Sequence, residues 1–155
     1  MNFMHKNRGF TLIEVLIAMI VLAIGLLGLA GLQAASLRNN QSSYNRSQAT
    51  QMAYDLADRM RANPGAADSY LTSTMAPADA VAQADCTTVS ASCTNQDMAQ
   101  NDLFEWNAAM TSILPAAAGS VTVAGNTYTI TINWDDNRDG NVDANDPNFQ
   151  MSFQL

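Results

Sequence analysis

One apolar run near the start of the chain constrains its fold more than any other feature. Residues 10–32 contain a single charged side chain, Glu14, and two cations, Lys6 and Arg8, come just before them. A helix of this length, at ~1.5 Å per residue, covers roughly 34 Å and would cross a hydrocarbon core of about 30 Å. A carboxylate inside such a helix costs roughly 2.5–3.5 kcal/mol to insert. We therefore expect Glu14 to have a partner for its charge.

The seven residues Arg8-Gly9-Phe10-Thr11-Leu12-Ile13-Glu14 resemble the type IV prepilin signature. The resemblance implies that a prepilin peptidase cuts between Gly9 and Phe10, methylates the new amine and leaves Glu14 as the fifth residue of the mature chain. An ordinary secretory signal is cut after its apolar region, near small residues. Here the matching site precedes the apolar run, so the helix should survive processing. The alternative is an uncleaved signal anchor.

Charge and composition limit what the exported part can do. The cations before the apolar run predict that the leader stays in the cytoplasm and that the rest is exported. After Asn63 the sequence has 11 acidic residues and one basic residue, Arg138. Such a surface repels phosphates, which argues against nucleic-acid binding. The only histidine and lysine, His5 and Lys6, lie in the predicted leader, so we expect no enzyme.

Hydrophobic spacing predicts two helices. The first runs from about Phe10 to about Ala62, where Asn63-Pro64-Gly65 should end it. Its second half is amphipathic, with apolar residues three and four apart: Ala49, Met52, Ala53, Leu56 and Met60. A second helix should start with a capping box at Thr94 and end near Leu114. Its expected buried face is Phe104, Met110, Ile113 and Leu114.

The last third of the sequence predicts an antiparallel meander. Residues 127–134 and 149–155 alternate apolar and polar side chains, and Val121 and Val123 follow the same pattern. Gly125-Asn126 should form a two-residue hairpin turn. A small sheet cannot shield its apolar face alone, so the amphipathic half of the first helix should cover it. The predicted fold class is α+β, a long N-terminal helix packed on a small antiparallel sheet.

Two cysteines lie in an Ala-, Ser- and Asp-rich stretch, residues 66–92 and the positions just after it. We expect an irregular loop there, with a short helix near Ala76 to Ala84. Cys86 and Cys93 are close in sequence, and in an oxidising periplasm such a pair often forms a disulfide. The alternative is two free thiols.

A twelve-residue acidic loop, 135–146, has the spacing of an EF-hand-type calcium loop and most resembles a dockerin loop. Oxygen-bearing side chains occupy positions one, three, five, nine and twelve, with glycine at six. The predicted calcium ligands are Asp135, Asn137, Asp139, Asn141 through its carbonyl, Asp143 and Asp146. Two features depart from that pattern, because aspartate closes the loop and strands flank it. The alternative is a solvated acidic loop between strands.

Further residues narrow the resemblance to the PilV group of minor pilins. They include Ala57-Asp58-Arg59-Met60-Arg61-Ala62-Asn63, Asp102-Leu103, Trp106 and Leu114-Pro115. The implied organisation is a cytoplasmic leader (1–9), a membrane-spanning and filament-core helix (10–32), its amphipathic continuation (33–63) and an exported pilin domain (64–155).

The pilin resemblance implies a structural role in a type IV pilus. The implied partners are other pilin subunits, prepilin peptidase, the inner-membrane assembly machinery and a tip adhesin. The chain would sit in the bacterial inner membrane, then in the extracellular pilus, and serve filament initiation, adhesion and twitching motility. Two alternatives are a type II secretion pseudopilin and a membrane-anchored calcium-binding adhesion or sensor module outside any filament. Cleavage after Gly9 would distinguish the last from the others.

Overall fold

A computed structural model of the chain describes residues 9–88 and 92–155. Predicted leader residues 1–8, which include His5, Lys6 and Arg8, lie outside this part. In the described residues the helices are α1 (Leu12–Ala62) and α2 (Asn95–Ile113), and the strands are β1 (Ala118–Ala124), β2 (Thr127–Asn133) and β3 (Asn148–Phe153). The predicted α+β fold, a long helix packed on a small antiparallel sheet, is confirmed.

Helix α1 belongs to two compact units, one up to Gln41 and one from Ser42 to Leu155. In the first unit its large apolar side chains are all exposed, from Leu12 (89%) to Leu37 (69%). By length and composition alone, α1 contains a stretch that is able to cross a membrane. Exposed leucine, isoleucine and valine along a whole helix are costly in water, so this segment requires an apolar surrounding.

In the second unit, α1 buries one face. The buried residues are Asn45, Ala49, Ala53, Leu56, Ala57 and Met60, which confirms the predicted apolar face, with Met52 half-buried. The helix ends at Ala62, as predicted. Pro64 then opens a short 3-10 helix, Pro64–Tyr70, because proline fits the first turn of a helix but cannot continue a preceding one.

Helix α2 starts with the predicted capping box. The Thr94 hydroxyl accepts the Asp97 N–H at 3.2 Å, and the Asp97 carboxylate accepts the Thr94 N–H at 3.1 Å. The Thr94 hydroxyl also donates to the Asp97 carboxylate at 2.6 Å, and this bond, followed by the bond from the Thr94 N–H, lowers the pKa of Asp97. The cap satisfies N–H groups that the first helical turn leaves unpaired.

The predicted buried face of α2 is partly wrong. Phe104 and Ile113 are exposed (38% each), whereas Met110 and Leu114 are buried as expected. The face that enters the core runs at spacings of four, three and four: Ala99, Leu103, Trp106 and Met110. Phe104 lies off this stripe, because it is about 100° around the helix from Leu103. Ile113 continues the spacing but is the last residue of α2, where it stays partly exposed.

The sheet is the predicted meander, with strand order β1-β2-β3 and both pairs antiparallel. Gly125 takes a positive φ of 61° in the turn between β1 and β2, as such a two-residue turn requires. The sheet and the residue that follows β2 contribute five buried side chains to the core: Val121, Ile130, Ile132, Trp134 and Phe153. These side chains form one cluster with the buried residues of α1 and α2. Tyr128, Phe149 and Met151 are partly buried against it.

The segment between α1 and α2 is irregular, as expected. The predicted short helix near Ala76 to Ala84 appears only as two 3-10 turns, Pro77–Asp79 and Ala84–Cys86. Cys86 and Cys93 form a disulfide with Cα atoms 5.0 Å apart, which confirms the predicted pair. A crosslink in this stretch restricts a segment that has few buried side chains of its own.

Candidate assembly segment and acidic loop

The predicted processing and assembly residues lie at the start of α1. The Thr11 N–H and hydroxyl both donate to Glu14 Oε2, at 2.9 and 3.0 Å, and the Glu14 N–H donates to the Thr11 hydroxyl at 3.3 Å. This is a capping box, which satisfies two backbone donors that the helix start would leave unpaired. Gly9 and Phe10 precede it and are exposed, so the helix begins at Leu12, two residues later than predicted.

Thr11 is a helix-capping residue that the sequence analysis missed. The signal was present, because Thr11-Leu12-Ile13-Glu14 has the spacing of a capping box. Glu14 therefore stabilises the first turn of α1, in addition to any role of its charge in assembly. Because the contacts to Thr11 all involve Oε2 and a carboxylate has about four acceptor sites, Glu14 keeps capacity for a further donor.

A polar cluster around Arg59 fixes α1 against α2 in the second unit. The Arg59 guanidinium donates to Asp55 at 3.1 Å on its own helix, and to Asp102 at 3.0 Å and Glu105 at 2.9 Å on α2. Burial alone would lower the pKa of Arg59, but the bonds to Glu105 and Asp102 outweigh it and raise that pKa. The bond from Arg59 is the main cause that lowers the pKa of Glu105.

The same cluster continues through a buried tyrosine. The Tyr70 hydroxyl donates to Asp102 at 2.5 Å and accepts from the Asn63 side chain at 3.3 Å. Burial, followed by the bond to Asp102, raises the pKa of Tyr70. Asn63 also donates to the Asn95 carbonyl at 2.7 Å, so the first 3-10 helix and both α-helices share one network. Arg59 and Asp102 are among the residues that resemble the PilV group, whereas the sequence analysis did not predict the role of Tyr70.

Trp106 is the centre of the contact between α2 and the rest of the core. It is fully buried, and its Nε1–H donates to the Met52 carbonyl of α1 at 2.8 Å. On its other side the ring lies against β1 at Gly119, where a Cβ would be 2.2 Å from Trp106 Cη2. This position therefore has room only for glycine, which fixes how closely α2 approaches the sheet.

The predicted metal residues all lie in the loop between β2 and β3, where they fold into local turns. The buried Asp135 carboxylate accepts the N–H groups of Arg138, Asp139 and Gly140, at 2.6, 3.2 and 2.9 Å. Arg138 and Gly140 take positive φ values of 61° and 92°. Glycine at this sharp turn matches position six of an EF-hand-type loop.

The remaining predicted ligands also accept or donate within the loop. Asp146 accepts the N–H groups of Asp136 and Asp143, both at 3.0 Å, and the Asp139 carboxylate accepts from Asn137 at 3.1 Å and from the Asn141 N–H at 2.9 Å. Within residues 9–88 and 92–155, no group of three or more His, Cys, Asp or Glu side chains is arranged to hold a metal ion. The carboxylates of the loop lie close together in sequence, but they do not point towards one common position that a metal ion could occupy.

Asp136 ties the acidic loop to α1. Its Oδ1 accepts from Trp134 Nε1 and from the Asn45 side chain, both at 3.0 Å. Burial opposes ionisation, but the bonds from Trp134, Asn45 and Ser42 outweigh it and lower the pKa of Asp136. The buried Asn45 is therefore explained by a loop 91 positions later in the chain.

Comparison with known families agrees with this geometry. The family described as type IV pilin Tt1218 matches residues 31–104, which include Asp55, Arg59 and Asp102 and the whole second half of α1. The chain carries a type IV pilin domain. The prokaryotic N-terminal methylation motif matches residues 4–30, immediately before it. No curated protein and no solved structure matches the chain significantly.

The two matches, a pilin domain and a leader motif, indicate the broad class of the protein. Type IV pilins are structural subunits, so the prediction that the chain is not an enzyme is confirmed. A pilin domain that follows a prepilin leader motif implies processing by prepilin peptidase and assembly with other pilins. Its apolar N-terminal helix fits membrane anchoring followed by pilus assembly.

Proposed function

We propose that this pilin is a minor subunit of a type IV pilus, of the PilV group, which is cut after Gly9 and assembled through residues 10–32. One observation carries the proposal: a methylation motif leads directly into an exposed apolar helix that continues into a folded pilin domain. The apolar segment needs a membrane first and neighbouring helices later, and a pilus supplies both in turn.

The proposed organisation follows the ranges predicted above. Residues 1–9 are the leader, 10–32 the membrane and filament-core helix, 33–63 its continuation, and 64–155 the exported domain. The PilV assignment is based on residues that include the Arg59-to-Asn63 stretch and Trp106. In the structure these residues hold α1 against α2, which gives them a role in the fold. In that role the subunit serves filament initiation, adhesion and twitching motility from a position in the inner membrane and then in the pilus.

The test is the mass of the chain from cells with active peptidase and pili. We expect a mature chain that starts at Phe10 with a methylated amine, and we expect this form in sheared pili. Gly9 and Phe10 are both exposed, so the junction is accessible. A chain that keeps residues 1–9 would refute a pilin role. Cleaved chain that is absent from pili, but present with a type II secretion apparatus, would make it a pseudopilin.

We also propose that the acidic loop, residues 135–146, binds calcium. Five carboxylates within twelve residues repel one another, and all the side chains in the predicted ligand set are oxygen donors, which suits calcium better than zinc. The turn at Gly140 has the conformation that such a loop needs. Each ionised carboxylate has about four acceptor sites, so those that accept N–H groups can still take a cation after the loop rearranges.

Calcium should therefore raise the melting temperature of the pilin relative to chelator. Binding to the folded state alone stabilises it by roughly 2.7 kcal/mol at a hundredfold excess over Kd. Asp139→Ala should remove most of that difference, whereas Asp85→Ala, an exposed acid outside the loop, should keep it. Differential scanning fluorimetry with titration calorimetry measures both. Equal melting temperatures with and without calcium, and no heat of binding, would leave an acidic loop without a metal.

A further inference from the structure

The two edges of the sheet differ in whether their backbone groups are paired. Thr72, from the segment after the first 3-10 helix, covers the outer edge of β1. Its N–H donates to the Val121 carbonyl at 3.0 Å, and its hydroxyl accepts the Val121 N–H at 2.7 Å. We call this side the closed edge. Because Thr72 occupies the middle of β1, another strand cannot pair along it.

The outer side of β3, residues 148–153, has no such cover. In the parts of the chain that the structure describes, the hydrogen bonds of the β3 backbone go to β2 only. Every residue from Asn148 to Phe153 is in continuous register with β2, so no bulge turns the strand away. We call this side the open edge. It presents a row of backbone donors and acceptors, which only another extended chain can satisfy in order.

The sequence of β3 contains none of the usual protections of an edge strand. Proteins commonly place lysine, proline, an inward charge or a bulge there to prevent pairing with other chains. The six residues Asn-Phe-Gln-Met-Ser-Phe include no charge and no proline. An unprotected edge beside a protected one indicates that pairing is avoided on one side of the sheet and permitted on the other.

The side chains along the open edge define what a fourth strand must look like. Phe149 and Met151 are only half-buried against the core cluster, while Gln150 and Ser152 are exposed on the opposite face. Side chains alternate between the two faces of a strand. A partner strand would therefore place apolar residues beside Phe149 and Met151, covering their exposed parts, and polar residues beside Gln150 and Ser152.

Charge argues that the partner is a different chain. After Asn63 the sequence carries 11 acidic residues against one basic residue, so two such domains repel each other. Pairing of β3 with β3 of a second copy would also be two-fold symmetric, which closes at a dimer and cannot extend along a polar filament. A strand with lysine or arginine at its ends has neither disadvantage.

We propose that the open edge of β3 is a docking site for an extended strand of another protein, with alternating apolar and polar residues and basic residues at its ends. The strand would add to β3 by backbone pairing, and the acidic surface would attract its basic ends. This site uses none of residues 10–32, on which the proposed assembly into a filament depends. It holds whether the chain acts in a pilus or a secretion apparatus.

The test uses the full chain in detergent and a fluorescent synthetic peptide of alternating valine and threonine with paired lysines at each end. Hydrogen exchange should slow at residues 148–153 when the peptide binds and stay unchanged at residues 118–124. Gln150→Lys should weaken binding by about fivefold, because it sets a like charge on the open edge. The matched control is Thr122→Lys, an equal charge change at an exposed residue of β1, which should bind like wild type.

Four outcomes would overturn the proposal. No slowing at residues 148–153, or equal binding by Gln150→Lys, would mean that the open edge does not take a strand. Equal binding of a peptide with glutamates in place of the lysines would remove the argument from charge. Protection of residues 148–153 that grows with chain concentration, without peptide, would assign the edge to a second copy. Melting curves of both lysine variants establish that each is folded.

Discussion

Glu14→Ala should largely remove the pilin from filaments while leaving cleavage after Gly9 intact. Inserting a lone carboxylate into an apolar segment costs roughly 2.5–3.5 kcal/mol. Pairing with an opposite charge offsets this cost, so such a carboxylate usually has a partner. We expect that partner to be the methylated Phe10 amine of a neighbouring subunit. The measurement is the ratio of mature chain in sheared pili to mature chain in membranes, by quantitative mass spectrometry.

The capping box supplies matched variants that separate the charge of Glu14 from its local role. Thr11→Ala removes the cap, worth about 1 kcal/mol, and keeps the carboxylate. Glu14→Gln removes the charge and keeps a side chain that suits the cap. If the charge matters, Glu14→Gln should fail to assemble like Glu14→Ala, and Thr11→Ala should assemble almost normally. The opposite pattern would show that Glu14 only starts the helix.

Gly119→Ala should be the most damaging single-methyl change in the exported domain. The added Cβ would lie 2.2 and 2.4 Å from two atoms of the buried Trp106 ring. The ring cannot withdraw freely, because its Nε1–H is bonded to the Met52 carbonyl on its other side. Overpacking of this kind costs about 3 kcal/mol, which corresponds to a fall in melting temperature of about 10 °C or more. Circular dichroism of the full chain in detergent measures it.

A double-mutant cycle with Trp106→Phe tests the cause of that loss. Phenylalanine lacks the outer part of the indole ring, so it leaves space at β1. Gly119→Ala should then cost about 1 kcal/mol or less in the Trp106→Phe background, a coupling typical of residues in contact. A second control, Gly125→Ala, adds a methyl where nothing lies within 4 Å, so only its positive φ opposes it. If Gly119→Ala costs as much in the Trp106→Phe background as in the wild type, the ring contact is not responsible.

The local elements of this protein were predictable because their signals lie close together in the chain. Periodicity of three to four residues indicated both helices, and alternation indicated the three strands and the turn at Gly125. Thr94 and Asp97 cap α2 from three positions apart, and Cys86 pairs with Cys93 from seven. The prepilin motif is equally local, and the methylation-motif match covers it.

The candidate sites were predictable only in part. The spacing of residues 135–146 identified the acidic loop, but only the structure placed Asp136 against Asn45 and turned Asp135 onto the loop's own N–H groups. The sequence analysis also missed the cap at the start of α1, for a different reason. The capping box at Thr11 is visible in the sequence, and it was missed because Glu14 was considered only as a charge.

The amino-acid sequence by itself determined where the helices and strands lie and which part of the chain needs an apolar surrounding, and the predicted cleavage after Gly9 is also based on the sequence alone. These properties depend on residues within a few positions of one another. The tertiary structure alone decided which face of α2 enters the core, how Arg59 joins Asp102 from 43 positions away, and why position 119 must be glycine. It also decided that Thr72 closes one edge of the sheet and leaves the other open. Those features depend on packing between distant segments, whose distances no local pattern encodes.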